Sequence, residues 1–166
     1  MSRWQRYWAL QRARIRAARG GSGQVYGAAV PFPTPAVYTK GSNTTLTAGT
    51  ETTFITTGAL TAYSPGTWYP LIFLTADILQ GGTAAAALKF AFKLGSGSDV
   101  DSYVCDPNLL VNSGTQTWAV TLVGTPSNSN WAGSGSTINI TGLATTTACT
   151  VVYTATRAVV LLLPAT

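Results

Sequence analysis

The chain has 166 residues, 46% hydrophobic, 9% charged and none histidine: one domain plus an extension, with apolar material enough for a core, which excludes wholesale disorder. Without histidine, neither Ser-His-Asp nor Cys-His catalysis can be assembled. The formal charge of +5 belongs to six arginines before residue 20, because the rest carries four cations against five acids.

In chain order, residues 1–19 (MSRWQRYWALQRARIRAAR) read as a basic amphipathic helical arm. They contain neither Gly nor Pro, are rich in good helix formers, and start at Ser2, a capping residue. At 100° per residue, Trp4, Tyr7, Trp8, Gln11, Ile15 and Ala18 share one face. Arg3, Arg6, Arg12, Arg14, Arg16 and Arg19 occupy most of the remainder. GGSG at 20–23 ends the helix, and PFPTP at 31–35 favours an extended, polyproline-like path. Residues 20–42 are therefore expected to be a linker lying along a surface without a core of its own.

From residue 43 the period becomes two, and residues 43–166 are expected to form a β-sandwich. TLTAGTETTFITTGAL is Thr-rich strand sequence broken at Gly49 and Gly58. TWYPLIFLTADIL is a nearly continuous apolar strand whose Pro70 predicts an edge or a bulge. Ala84 to Ala87 lead into ALKFAFKL, where Leu88, Phe90, Phe92 and Leu94 face one way and Lys89, Ala91 and Lys93 the other. GSGSDVDS is expected to be a loop, with YVCD and NLLVN as short strands. TWAVTLVG places Trp118, Val120 and Leu122 on one face. TPSNSNWAGSGS is a polar loop carrying Trp131, and TINIT, ACTVVYTAT and AVVLLLPA supply the last strands. About eight turn-separated strands without intervening helices predict an all-β fold, an antiparallel sandwich.

The same residues offer little chemistry. There is no CxxC or HExxH for zinc, and GSGQVYG lacks the preceding strand and following GKS or GKT of a phosphate loop. Asp99 and Asp101, two apart, would point to one side and could help ligate Ca²⁺, but a solvated loop is the preferred reading. Asp77, Asp106 and Glu51 are the other carboxylates, and nothing in the pattern brings two of them together across a groove. Cys105 and Cys149 are expected to be buried free thiols in preference to a disulfide. Trp68 and Trp118 are assigned to the core, whereas Trp131 is either folded back or offered to a partner. The sequence calls for no cofactor and no metal. YWAL is too short for a signal-peptide core and AVVLLLPA too short to span a bilayer, so synthesis in the cytoplasm as a soluble protein is expected.

The arm has competing partners. Nucleic acid would be bound through phosphate neutralisation. A groove on another protein would take Trp4 and Trp8 as anchors. An anionic membrane surface would also suit an Arg/Trp helix, although the reading as a whole expects no membrane partner.

The stretch TLTAGTETTFITTGALTAYSPGTWYPLIFLTADIL, the β-pattern running on to VVLLLPAT, and the basic arm before them resemble the single jelly-roll structural proteins of viruses. The nearest among these are the cement or decoration proteins of tailed-phage heads and minor capsid proteins. The resemblance implies a jelly-roll-like sandwich of about eight strands in a non-enzymatic protein of the virion. It further implies contacts with the major capsid protein or other virion subunits, a homo-oligomeric state, and an arm reaching onto a neighbour. Two alternatives stay open: a shell-forming coat protein whose arm binds genome, and a receptor- or carbohydrate-binding module of a phage tail or fibre using Trp131.

Overall fold

The computed structural model describes residues 35–59, 68–124 and 137–164; the arm, the linker up to residue 34 and the loop carrying Trp131 lie outside the described residues. The described residues form nine strands: β1 (Ala36–Thr39), β2 (Thr44–Leu46), β3 (Thr52–Thr56), β4 (Trp68–Gln80), β5 (Leu88–Leu94), β6 (Asp99–Val104), β7 (Gly114–Val123), β8 (Ile138–Ala144) and β9 (Cys149–Pro164). The only helical element among the described residues is a single 3₁₀ turn, Pro107–Leu109.

The strands form two sheets whose ladders are all antiparallel. Sheet one runs β1-β9-β4-β7, with β2 also paired to β9; sheet two runs β3-β8-β5-β6. Since β1 and β2 lie along the same partner, they are two pieces of one edge strand, which leaves eight strand positions. The chain visits sheet one, then two, one, two, two, one, two and one. Eight positions in two four-stranded sheets connected this way make a jelly roll.

Alternation dictates the core. Ile72, Leu74, Ala76 and Ile78 of β4, Trp118, Val120 and Leu122 of β7, and Ala158, Val160 and Leu162 of β9 point inward from sheet one. Leu88, Phe90 and Phe92 of β5 and Ile138 and Ile140 of β8 meet them from sheet two. Phe54 packs edge-on against Phe90 at 6.3 Å between ring centroids. Cys105 and Cys149 are free and buried in this core, as the sequence suggested. Burial pushes their thiols up to about 12 and about 11, which keeps them protonated and unreactive.

Several expectations are corrected. The strand ladder begins at Ala36, inside the stretch read as linker, because Ala36 and Tyr38 face inward while β9 supplies the pairing partner. Pro70 lies in a central strand. It is tolerated because β7 ends opposite Leu71, so the proline nitrogen meets only Gly124, whose N–H donates to the Pro70 carbonyl at 2.8 Å. A Cβ at Gly124 would lie 2.6 Å from Pro70 Cδ, so only glycine allows this approach. The acidic stretch is strand β6 rather than a loop. NLLVN is not a strand: Asp106 caps the 3₁₀ turn through the Asn108 N–H. ACTVVYTAT and AVVLLLPA form one strand, β9, interrupted by a bulge.

Candidate contact surface on the outer faces of the two sheets

The outer face of sheet two carries an internally paired polar network, with Val104, 58% exposed, and Leu143 beside Lys89 at its end. Lys93 of β5 donates to Glu51 Oε2 at 2.5 Å and approaches Asp99 Oδ1 at 3.6 Å, while Lys89 donates to Asp99 Oδ2. Thr141 of β8 donates to Glu51 Oε1 at 2.6 Å, and Thr56 donates to Asn139 at 2.8 Å. Four of the nine charges outside the arm are thus tied into one neutral network. The Glu51 hydrogen bond raises the Lys93 ammonium above its ordinary value. Partial burial pushes the Asp99 carboxyl up, but the Lys89 hydrogen bond and the Lys89 and Lys93 charges outweigh it and hold it below the ordinary range.

The outer face of sheet one is built differently. Cross-strand partners share a face, so the register defines rows: Val37, Val159, Phe73 and Thr121; then Leu161, Leu71 and Val123; then Leu163 and Tyr69. Val37 is 60% exposed, Phe73 44% and Val123 39%. At ~4.8 Å between strands and ~6.8 Å between same-face residues, the rows cover roughly 300–400 Å². That is the size of the largest apolar patch on a typical monomer, a patch that is often functional.

The next row, Thr39, Arg157 and Thr75, starts a polar region. Thr75 pairs with Arg157 but Asp77 with Val152, so residues 153–156 of β9 oppose only Ala76. Residues 40–43 separate β1 from β2 at the same level. The result is a hollow of about 630 Å³ lined by Thr39, Asp77, Thr117, Tyr153, Thr154 and Arg157 among others.

The structure separates the acidic pair. A bulge between Phe92 and Lys93 sets Asp101 opposite Phe92 and Asp99 opposite Lys93, on opposite faces of β6. Asp99 joins the lysines, while Asp101 Oδ2 accepts the Val123 N–H at 2.8 Å. Among the described residues no three His, Cys, Asp or Glu side chains converge. Trp118 is buried, as expected for core; Trp68 is described only as the first residue of β4. Trp4, Trp8, the six arm arginines and Trp131 lie outside the described residues. The apolar outer face of sheet one is not among the features expected from the sequence. Its signal was present in the unbroken apolar runs of β4 and β9, since a strand covered on one side alternates.

No protein-family model matches this chain, and no curated protein does. Among solved structures, one described as infectious bursal disease virus Gx strain is similar in fold, with a TM-score of 0.49 and 14% identity over 80% of this chain. The chain spans 33% of that structure's chain, and the jelly-roll path described above rests on the strand pairings alone.

Proposed function

We propose that this chain is a non-enzymatic structural protein of a phage virion, a capsid cement or decoration protein or a minor capsid protein. It stabilises a shell through subunit contacts and a docking arm. One observation supports the reading above the others: β4 and β9 carry apolar side chains on both faces, yet the described residues cover only one. Jelly rolls also serve as lectin and cupin domains, so the fold alone does not choose among functions. An exposed apolar face in a body of low charge fits a protein that works by burying area against neighbours. Each aliphatic or aromatic side chain fully removed from water contributes about 1.5–3 kcal/mol.

In this reading residues 1–19 dock onto a shell subunit or an identical copy. Trp4 and Trp8 are the apolar anchors, and Arg3, Arg6, Arg12, Arg14, Arg16 and Arg19 pair with acidic groups of the partner. Tethering turns one contact into two and raises the effective affinity without enlarging either. The test is co-sedimentation with virus particles from the culture that produces the protein, comparing the full chain with one lacking residues 1–24. Full-length protein in the pellet with the truncated form in the supernatant is the expected result. Equal pelleting would remove the docking role from the arm and favour a genome-binding coat protein, and no pelleting of either form would overturn the reading.

A further inference from the structure

We propose that the hollow in the outer face of sheet one is a binding site for a neutral saccharide. It lies one row beyond the apolar rows and is chemically distinct from them.

The hollow exists because the sheet is interrupted on two neighbouring strands at one level, and specific side chains repair the interruption. The Thr156 hydroxyl takes the Asp77 N–H at 3.2 Å and donates to the Val152 carbonyl at 2.6 Å, bridging the ladder positions that the bulge opens. Thr156 is itself buried. On the other side, Asn43 Oδ1 accepts the Tyr153 N–H at 3.0 Å. A bulge held this way is a built feature, and bulges commonly re-aim side chains at functional sites.

Tyr153, 46% exposed, stands in the lining with an aromatic ring available to the solvent side. Asp77 is oriented by the Thr117 hydroxyl, which donates to its Oδ1 at 2.6 Å, and its other carboxylate oxygen has no hydrogen-bond donor among the described residues. Arg157 forms no salt bridge among the described residues, and its planar guanidinium carries several donors.

These groups select a ligand class. One carboxylate and one guanidinium cancel, so the lining favours neither an anion nor a cation. Threonines 39, 75 and 154 add hydroxyls that donate and accept, and Thr117, whose proton goes to Asp77, can still accept. A neutral ligand dense in hydroxyls, with an apolar C–H face to lie on the tyrosine ring, satisfies all of this, and saccharides have that pattern. The volume falls within the ~300–1,000 Å³ of small-molecule sites.

The experiment places the full-length protein on an array of neutral and acidic oligosaccharides at about 1 M salt, where the Debye length is ~3 Å and attraction of the arm to polyanions is suppressed. The best neutral glycan is then titrated by calorimetry. Tyr153→Ala and Asp77→Asn should each weaken binding by at least about tenfold, as loss of a stacking platform or a charge-assisted hydrogen bond does. Tyr103→Ala, at an exposed tyrosine on the edge of sheet two, should leave it unchanged. Absence of any neutral-glycan signal overturns the proposal, as does a signal confined to acidic glycans or binding that survives Tyr153→Ala. Removal of residues 1–24 should leave saccharide binding intact, so this site and the docking arm fail or stand separately.

Discussion

The two outer faces of this sandwich come from the same alternation of inward and outward residues, yet they solve the outward half oppositely. On sheet two the outward residues Glu51, Thr141, Lys93, Asp99 and Lys89 satisfy one another, and the apolar outward residues Val104 and Leu143 are both paired with Lys89. On sheet one they are Val37, Phe73, Leu71, Val159, Leu161 and Val123, which can be satisfied only by something that excludes water. Among the described residues, the polar groups of one face satisfy one another, whereas the larger apolar patch of the other is left open. Association should therefore depend on sheet one, and intrinsic stability should carry the electrostatic contribution of sheet two.

The largest expected effect breaks the unfinished face. Phe73→Lys puts a charge in the centre of the apolar rows at an already exposed position, so folding should survive. If copies associate through this face, sedimentation velocity should show affinity lowered at least about thirtyfold, the ~2 kcal/mol of a central interface residue. Thr53→Lys is the mirror experiment on exposed sheet two and should leave association unchanged. Equal loss in both variants would erase the distinction between the faces.

A smaller effect is expected on the finished face. Lys93→Ala removes the cation shared by Glu51 and Asp99, whose side chains are about one quarter exposed. Exposed pairs contribute ~0–1 kcal/mol, and a shared, half-buried cation belongs at the upper end, so denaturant unfolding should register a loss of about 1 kcal/mol. Association through sheet one should not change.

How much of this was legible in the sequence follows from what each signal encodes. The inward residues of β5 and β7 were plain because alternation of Leu88, Phe90 and Phe92, or of Trp118, Val120 and Leu122, reports one buried face directly. Unbroken runs such as β4 carry no such phase, so the sequence marked the strand without revealing that its outer face is apolar and open. The position of Pro70 in a central strand depends on where β7 stops, a long-range fact that local propensity does not contain. Likewise, Asp99 and Asp101 looked like a same-side pair because spacing assumes a regular strand; one bulge reverses the relation. The hollow was invisible for the same reason, since it arises from bulged residues 153–156 lying beside the break at 40–43.

The smallest effect concerns pH and separates the faces by their titration. The Asp99 carboxyl is held below its unfolded value of ~3.9, so its contribution is fully present above that value and is lost as pH falls through it toward the folded value. Lys93 is raised above its unfolded ~10.4, so its contribution is fully present below that value and is lost as pH climbs through the folded one. Without histidine, no side chain has an ordinary pKa between about pH 5.5 and 8, and the thermal midpoint should form a plateau there. Asp99→Asn should lower that plateau slightly, and its gap to the parent chain should begin to shrink below about pH 4 and close only below the folded value, where the parent carboxylate is neutralised too. Phe73→Lys, which leaves the network of sheet two intact, should instead keep the parent's profile in shape. A gap for Asp99→Asn that persists unchanged into acid would mean that packing, not charge, holds Asp99 in place. The finished face would then owe its completeness to shape rather than to its ions.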